Sequence, residues 1–475
     1  MIKSGLGIPG QAQSRAELSP PVPQENGASK NAALLSSKDP ELRKPGAFAS
    51  AHDILTRVQY RPFQESAQRM LEARDHILAS RTEPAQQDTS TQIGDLAVLP
   101  NKGTAYFVSD LEGRVDAVAS LLEKEKILQR WRANDPEDQV FLCVLGDSVD
   151  RSSNSSVLME FLLELKCHEG FSRNIVILAG NHELRMDIQS EPARDGSQNR
   201  MGFRQEVLSA RWSYSRMDVA SPSVKAVSAL AEEPRFSEFK PYTYSFDDTW
   251  DGTASVPQQG GTPQQSVEDQ KDAARLGMWL LFNDIFQALP KSIVSGNGLF
   301  ATHGGFPTKG SFEDVFTAEE APLTEGKKVH LQGALTNLTD VSPNRESCHP
   351  KNDLLDDLVW SDIDPRLDHS ENRSLLGQNA RGGAGRAGPG VAWGEGALKR
   401  FCEITGSTLC VRGHQARAPS HPDVKKLTKD IWQYGSAVTV TSSRVGAFVS
   451  LDLALPNPTP DNLARDTAIP DPIFG

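Results

Sequence analysis

The stretch Val140-Phe141-Leu142-Cys143-Val144-Leu145-Gly146-Asp147-Ser148-Val149-Asp150-Arg151 decides how this chain is read. Its opening apolar run is rich in β-formers and predicts a buried strand. The Gly-Asp that follows ends the strand, so Asp147, Asp150 and Arg151 fall in the loop beyond it. The same grammar recurs on either side. Ala105 to Val108 runs into Ser109-Asp110-Leu111-Glu112-Gly113-Arg114, and Ile175 to Ala179 runs into Gly180-Asn181-His182-Glu183. Further on, Gly298 to Thr302 leads to His303-Gly304-Gly305, and Thr408 to Val411 leads to Arg412-Gly413-His414. Val115 to Arg130 and Ser155 to Lys166 read as helices between the first strands, which predicts an α/β fold with helices on the faces of its sheet. In such folds the chemistry sits where strands end and loops begin.

Outward from this core, a strongly apolar helix from Ala273 to Leu289 stops at Pro290, and Ala437 to Val440 and Val445 to Leu451 supply later strands. Residues 1–48 are dominated by Ser, Pro, Gln, Ala and Gly and read as a disordered tail, because they cannot bury enough surface to offset chain entropy. Residues 49–98 read as a helical preface, interrupted at Pro62 and followed by a polar linker near Thr82 to Gln92. Residues 99–455 then form the catalytic domain, with insertions near 187–268 and 308–351, and residues 456–475 read as a Pro-rich tail.

Composition narrows the function. The net charge is -12 and the pI is near 5.4, and no Lys/Arg run provides a nucleic-acid footprint. Five cysteines without a CxxC fit reduced, cytoplasmic chemistry. The N-terminus lacks the apolar core of a leader peptide, and no stretch approaches the ~18–20 apolar residues of a membrane span.

The clusters themselves point to two-metal phosphoester hydrolysis. Asp147 can share its oxygens between two cations, Asp110 and Glu112 can hold the first, and Asn181, His303 and His414 can complete the second. Two metals about 3.5–4 Å apart clamp the attacking and leaving oxygens of an in-line displacement and make hydroxide available from a bridging water. His182, directly after a ligand, is placed to protonate the leaving alkoxide, with Asp150 fixing its tautomer. Arg151 can fork onto two phosphate oxygens. Singly, each signal is more often a turn or a loop; the five in this order are what carry the reading. The other seven histidines read as ordinary surface or core residues, and the Gly-rich stretch Arg381 to Gly390 reads as a flexible loop.

These residues resemble the phosphoprotein phosphatase branch of the calcineurin-like metallophosphoesterases. The likeness runs from about Tyr106 to Asp452. It includes Leu289-Pro290 before Phe300-Ala301-Thr302-His303-Gly304-Gly305, then Leu358-Val359-Trp360-Ser361-Asp362, a loop similar to Arg-Gly-Ala-Gly running into Trp393-Gly394, and Arg412-Gly413-His414-Gln415. The resemblance implies a β-sandwich flanked by helices, two divalent metals and hydrolysis without a phosphoenzyme. It implies a phosphoserine, phosphothreonine or phosphotyrosine protein substrate, and a second phosphate-binding arginine, for which Arg386 fits better than Arg381. Docking partners are expected at the N-terminal tail and insertions. A diadenosine tetraphosphate hydrolase and a binding pseudophosphatase are the alternatives. The chain departs from the family at Ser109 in place of Gly and at Glu112 in place of His. It also has a shortened loop at Thr441 to Gly446. A carboxylate at position 112 favours manganese or magnesium over iron or zinc.

Overall fold

A computed structural model describes residues 50–81, 89–168, 170–184, 189, 202–212, 216–233, 266–308, 312, 316, 353–369, 375–379, 389–443 and 446–466. The expected tail at 1–48, most of the insertion at 308–351, and Arg381 and Arg386 lie outside them.

The chain enters through two helices, α1 (Ala51–Gln59) and α2 (Phe63–Ser80), separated at Pro62 as the sequence suggests. Ser50 and Asp53 form a reciprocal cap at the start of α1. Strands β1 (Thr91–Ile93) and β2 (Leu96–Leu99) follow, then β3 (Thr104–Val108), α3 (Val115–Lys124), α4 (Ile127–Ala133), β4 (Val140–Val144), α5 (Ser155–Lys166), β5 (Ile175–Ile177) and the single turn α6 (Asn181–Leu184). The helix expected over Val115 to Arg130 is therefore two, broken where Lys126 takes a left-handed conformation with φ 52°. After a helical stretch at Phe203–Gln205 that continues as a π-turn at Glu206–Ala210 come α7 (Pro222–Leu230), α8 (Val267–Ala288), β6 (Ser292–Ser295) and β7 (Leu299–Thr302). The chain then continues through α9 (Asp353–Trp360), β8 (Asp362–Ile363), β9 (Leu376–Gln378), β10 (Val391–Trp393), α10 (Glu395–Thr405), β11 (Leu409–Arg412), β12 (Lys425–Lys426), β13 (Ile431–Tyr434), β14 (Ala437–Val440), β15 (Phe448–Asp452) and β16 (Ala464–Asp466).

Two large sheets result, ordered β16-β15-β3-β4-β5 and β1-β2-β6-β7-β11-β14-β13-β12, with a small sheet β8-β10-β9 beside them. Period-two alternation explains why they face each other. Ala105, Phe107, Phe141 and Cys143 point to one side of the first sheet and join Leu99, Ile293, Leu299, Ala301, Val411 and Val438 of the second in one apolar layer. Tyr106, Val108, Val140, Leu142 and Val144 point to the other side and meet the helices. Burying an aromatic such as Phe107 or Phe141 contributes about 1.5–3 kcal/mol. The α/β sandwich flanked by helices is thus the fold that the sequence predicts. Cys143, Cys167, Cys402 and Cys410 are free thiols, and among the described residues no helix is long and apolar enough to cross a membrane.

Three boundaries need correction. The linker near Thr82 to Gln92 ends earlier than expected, because Thr91 already pairs in β1, and β2 joins the large sheet parallel to β6. The segment from 456 is not all tail, since β16 pairs antiparallel with β15 and Leu463 enters the inner layer. Finally, the insertion near 187–268 is not a surface loop throughout. Phe203, Val207, Trp212, Val224 and Val227 are buried in the helical layer.

The strand directions assemble the site. β3, β4 and β5 are mutually parallel, and so are β7 and β11, with Thr302 opposite Arg412. The loops carrying Asp110, Asp147 and Asn181 therefore leave the first sheet at one edge. Those carrying His303 and His414 leave the second side by side.

Candidate active site

Backbone conformation marks this edge. Asp110, Glu112, Asp147, Asp150, Arg151 and His414 all have φ between 46° and 71°. That region is sparsely populated by non-glycine residues, and its use costs on the order of 1–3 kcal/mol each. The loops are locked in return. The amides of Asp110, Glu112 and Gly113 donate to the carbonyls of Gly146, Asp147 and Ser148 at 3.0, 3.0 and 2.9 Å, so the first two motifs hold each other. Ser109 is not among the positive-φ residues, so a side chain stands there without left-handed backbone strain. The Ser442 amide donates to the Ser109 carbonyl at 2.8 Å, so the segment just after β14 braces the first motif.

Asp147 is the hub. Its Oδ1 accepts from the His182 amide at 3.1 Å, and its Oδ2 lies 3.2 Å from His303 Nε2. Ligand atoms of Asp147, His303 and His414 lie within 4.8 Å of one another, and all three residues are buried. Asn181 Oδ1 is 3.0 Å from His303 Nε2, while His303 Nδ1 meets the Leu145 carbonyl at 2.9 Å. Asp110 joins from the other side, its Oδ2 accepting from the His414 amide at 2.8 Å. Burial pushes the Asp110 carboxyl up to about 6; His303 lowers it, and the negative Asp147 and Glu112 raise it further. Burial also acts to raise Asp147, but His303, His182 and His414 outweigh it and hold Asp147 well below the usual carboxylate range. A buried, oxygen- and imidazole-rich group with carboxylates crowded against one another fits divalent cations.

Beside it, His182 Nδ1 pairs with Asp150 Oδ2 at 2.6 Å. Burial lowers the His182 pKa, but Asp147 and then Asp150 raise it, and the balance lies at about 9. The other oxygen of Asp150 accepts from the Phe203 amide at 2.6 Å, so the helical part of the insertion fixes this pair. Arg151 reaches both Glu112 Oε1 and, at 3.1 Å, His182 Nε2. Nine of the ten site residues expected from sequence thus lie in one neighbourhood; the tenth, Arg386, falls outside the described residues. Within that neighbourhood the Glu112 carboxylate is engaged by Arg151 rather than by the Asp147, His303 and His414 group.

Sequence reasoning missed the residue that shapes the middle of the site. Buried Glu183 accepts from the amides of Asp147 at 2.9 Å, Ser148 at 2.6 Å and Gly180 at 2.7 Å, tying the second and third motifs together. Its adjacency to His182 was the available signal. In the sequence, Arg412 and Gln415 stand out only as members of a motif. Arg412 donates to the Ser361 carbonyl at 2.9 Å, and Gln415 exchanges hydrogen bonds with Ile363. The Trp-Ser-Asp segment is thereby docked on the His414 loop, leaving Asp362 Oδ1 3.9 Å from His414 Nε2.

Residues 103–253 match the family described as calcineurin-like phosphoesterase. Over 135 residues the chain is 33% identical to a probable serine/threonine-protein phosphatase of Encephalitozoon cuniculi (strain GB-M1), an alignment covering 28% of this chain and 21% of that protein. The chain spans about a fifth of that curated relative's length. Among solved structures, it is similar to a protein serine/threonine phosphatase from Saccharomyces cerevisiae with similarity to human phosphatase PP5. Identity is 16%, coverage is 87% of this chain and 92% of that one, and the TM-score is 0.44. A cold-active protein-tyrosine phosphatase of a psychrophilic Shewanella is also similar, at 13% identity over 75% of this chain and 77% of that one, with a TM-score of 0.31.

Proposed function

We propose, for a chain whose residues 103–253 match the calcineurin-like phosphoesterase family, that it is a metal-dependent phosphoprotein phosphatase hydrolysing phosphoserine and phosphothreonine monoesters by direct attack of water. The observation that carries the reading is His182, paired to Asp150 at 2.6 Å and placed beside the buried Asp147, His303 and His414 group. Two divalent cations would be held by Asp110, Asp147, Asn181, His303 and His414, where they would supply Lewis acidity and a water of lowered pKa; manganese stands first because Asp110, Asp147 and Asn181 offer oxygen donors beside the two imidazoles. Asp147 orients the His182 backbone through its Oδ1. Asp150 accepts from Nδ1, so Nε2 is the nitrogen that gives its proton to the leaving alkoxide. Arg151 exchanges its Glu112 partner for two phosphate oxygens, a task that suits the guanidinium fork. Arg386 is proposed as the second phosphate-binding arginine.

The test is hydrolysis of para-nitrophenyl phosphate and a phosphoserine peptide by chelator-stripped protein, with Mn, Mg, Zn or Fe restored and the Asp147→Asn variant as control. Metal-dependent turnover of both substrates, absent from the variant, is the expected result. Turnover of diadenosine tetraphosphate alone would favour the nucleotide hydrolase, and no turnover by folded, metal-loaded protein would favour a pseudophosphatase.

A further inference from the structure

A second group of metal-ligating side chains lies outside the catalytic edge. His369 ends the short 3-10 turn Pro365–His369 that follows β8, and His421 and Asp423 lie on the loop between β11 and β12. His369 Nε2 is 3.0 Å from Asp423 Oδ2, and His421 Nδ1 is 3.5 Å from the same oxygen. The two imidazoles stack, with ring centres 5.0 Å apart and planes inclined by 26°. One ligand atom from each of the three residues falls within 4.8 Å of the others.

These separations suit a particular class of ion. With metal–nitrogen and metal–oxygen bonds of about 2.0–2.2 Å, neighbouring donors of a tetrahedral site stand roughly 3.3–3.5 Å apart. Both measured donor pairs are close to that spacing. Two imidazoles and a carboxylate are the ligand set of zinc and its borderline neighbours, not of calcium or magnesium.

The supports on both sides are firm. Asp368, next to His369, accepts from the amides of Glu395 at 2.7 Å and Gly396 at 2.9 Å, and from the Tyr434 hydroxyl, so it caps α10. On the facing loop, the His421 amide donates to the Pro419 carbonyl at 3.1 Å and the Val424 amide to the His421 carbonyl at 3.2 Å. These bonds fix the backbone beneath the donors, while the His369 and Asp423 side chains, 59% and 50% exposed, order on binding.

We infer that His369, His421 and Asp423 form a surface site for a zinc-class ion, distinct from the catalytic centre. The fourth position is left to water or an incoming group. Bound there, the ion ties the segment that begins at Ser361-Asp362 to the loop that begins at His414. Occupancy therefore clips together two pieces of chain that border the catalytic edge.

The test uses the full chain after chelator stripping, in four forms: wild type, Asp147→Asn, His369→Ala/His421→Ala, and all three substitutions together. Each is equilibrated with micromolar zinc alone and its zinc content is measured. The expected result is that the two histidine substitutions remove a single zinc ion per chain from both backgrounds. They should also abolish part of the zinc-induced rise in Tm, because an ion bound only to the native state stabilises it. Manganese-supported turnover of the histidine variant should stay at the wild-type rate. Equal zinc content with and without the two histidines would overturn the site, as would retention of the full zinc-induced rise in Tm. Neither reading depends on whether the chain hydrolyses a phosphoprotein, so failure here and failure of the phosphatase assignment are separable.

Discussion

At the scale of single residues, the site is a set of strained loops whose strain is offset by mutual hydrogen bonds and, in the proposed enzyme, by cations. Asp147→Asn removes one anionic oxygen from the hub, so metal content and turnover should fall together, as elemental analysis and a turnover assay would register. His182→Ala should leave the metals in place and lower kcat by about 10²-fold or more; full rate in that variant would remove His182 as the acid. Glu112 was read from sequence as a ligand, and its pairing with Arg151 assigns it a different test. Glu112→Gln should lower KM for the phosphopeptide, because Arg151 no longer has to give up an ion pair to take the phosphate, with metal content unchanged. Loss of an ion per chain would return Glu112 to the ligand set. The pH dependence of the metal-free protein follows from His182. Its pKa is raised from 6.5 to about 9, so its contribution to stability is full below the unfolded value and is lost as pH rises through the folded one. The Tm difference between wild type and His182→Ala should accordingly be larger at about pH 6 than at about pH 9.5. Most of the proposed ligands are legible because each follows an apolar, β-forming run that reads as a strand. The Glu112–Arg151 contact is not, because it joins two loops whose side-chain directions depend on positive φ angles at both ends.

At the scale of elements, the same contrast holds. Strands β3, β4, β7 and β11 announce themselves by continuous β-forming runs, and their parallel pairing follows from the helices between them. Strands β1 and β16 do not. Thr91-Gln92-Ile93 and Ala464-Arg465-Asp466 are short and polar, and they are strands because a neighbouring edge offers hydrogen bonds, a tertiary reason invisible in composition. Helix α8 was recognised from its apolar length, but its start at Val267 depends on the Ser266 and Asp269 cap, six residues before the expected one. Its mid-helix Gly277 would ordinarily cost about 1 kcal/mol against Ala. Here a Cβ would overlap the Val227 carbonyl oxygen of α7, so the usual preference is reversed. Gly277→Ala should destabilise by about 1–3 kcal/mol through forced separation of α7 and α8, measurable as a lower denaturant midpoint at unchanged slope. A gain in stability would mean that the two helices separate without cost.

At the scale of the whole molecule, the question is where the cooperative fold begins. Ser50 caps α1, and the Ala51 amide donates to Glu123 Oε1 of α3 at 2.7 Å, so the first described helix is held by its own cap and by α3. Ile54, Leu55 and Val58 of α1 are buried in the helical layer. Just beyond, buried Arg61 pairs with Glu160 at 3.4 Å and Glu164 at 2.9 Å on α5, while Glu160 also takes Ser66 of α2 at 2.9 Å and Arg211 at 3.4 Å. One buried carboxylate thus joins α1–α2, α5 and the helical part of the insertion. A deletion series should therefore show a cliff rather than a slope. Removing residues 1–48 should leave metal-dependent peptide hydrolysis and Tm close to those of the full chain, since Ser50, Glu123, Glu160 and Glu164 all remain. Removing residues 1–61 strips Ala51 and the larger buried Ile54, Leu55 and Val58, the last three each worth about 1.5–3 kcal/mol. It also leaves Glu160 short of a buried cation, at a cost of about 3–5 kcal/mol. Together these approach the 5–15 kcal/mol that holds an ordinary domain, so the shorter protein should lose its cooperative thermal transition and its turnover at the same cut. If the first deletion already abolished activity, residues 1–48 would be part of the catalytic unit. If the second preserved it, the two entry helices would be an accessory layer, and the sandwich with its five ligand loops would fold alone.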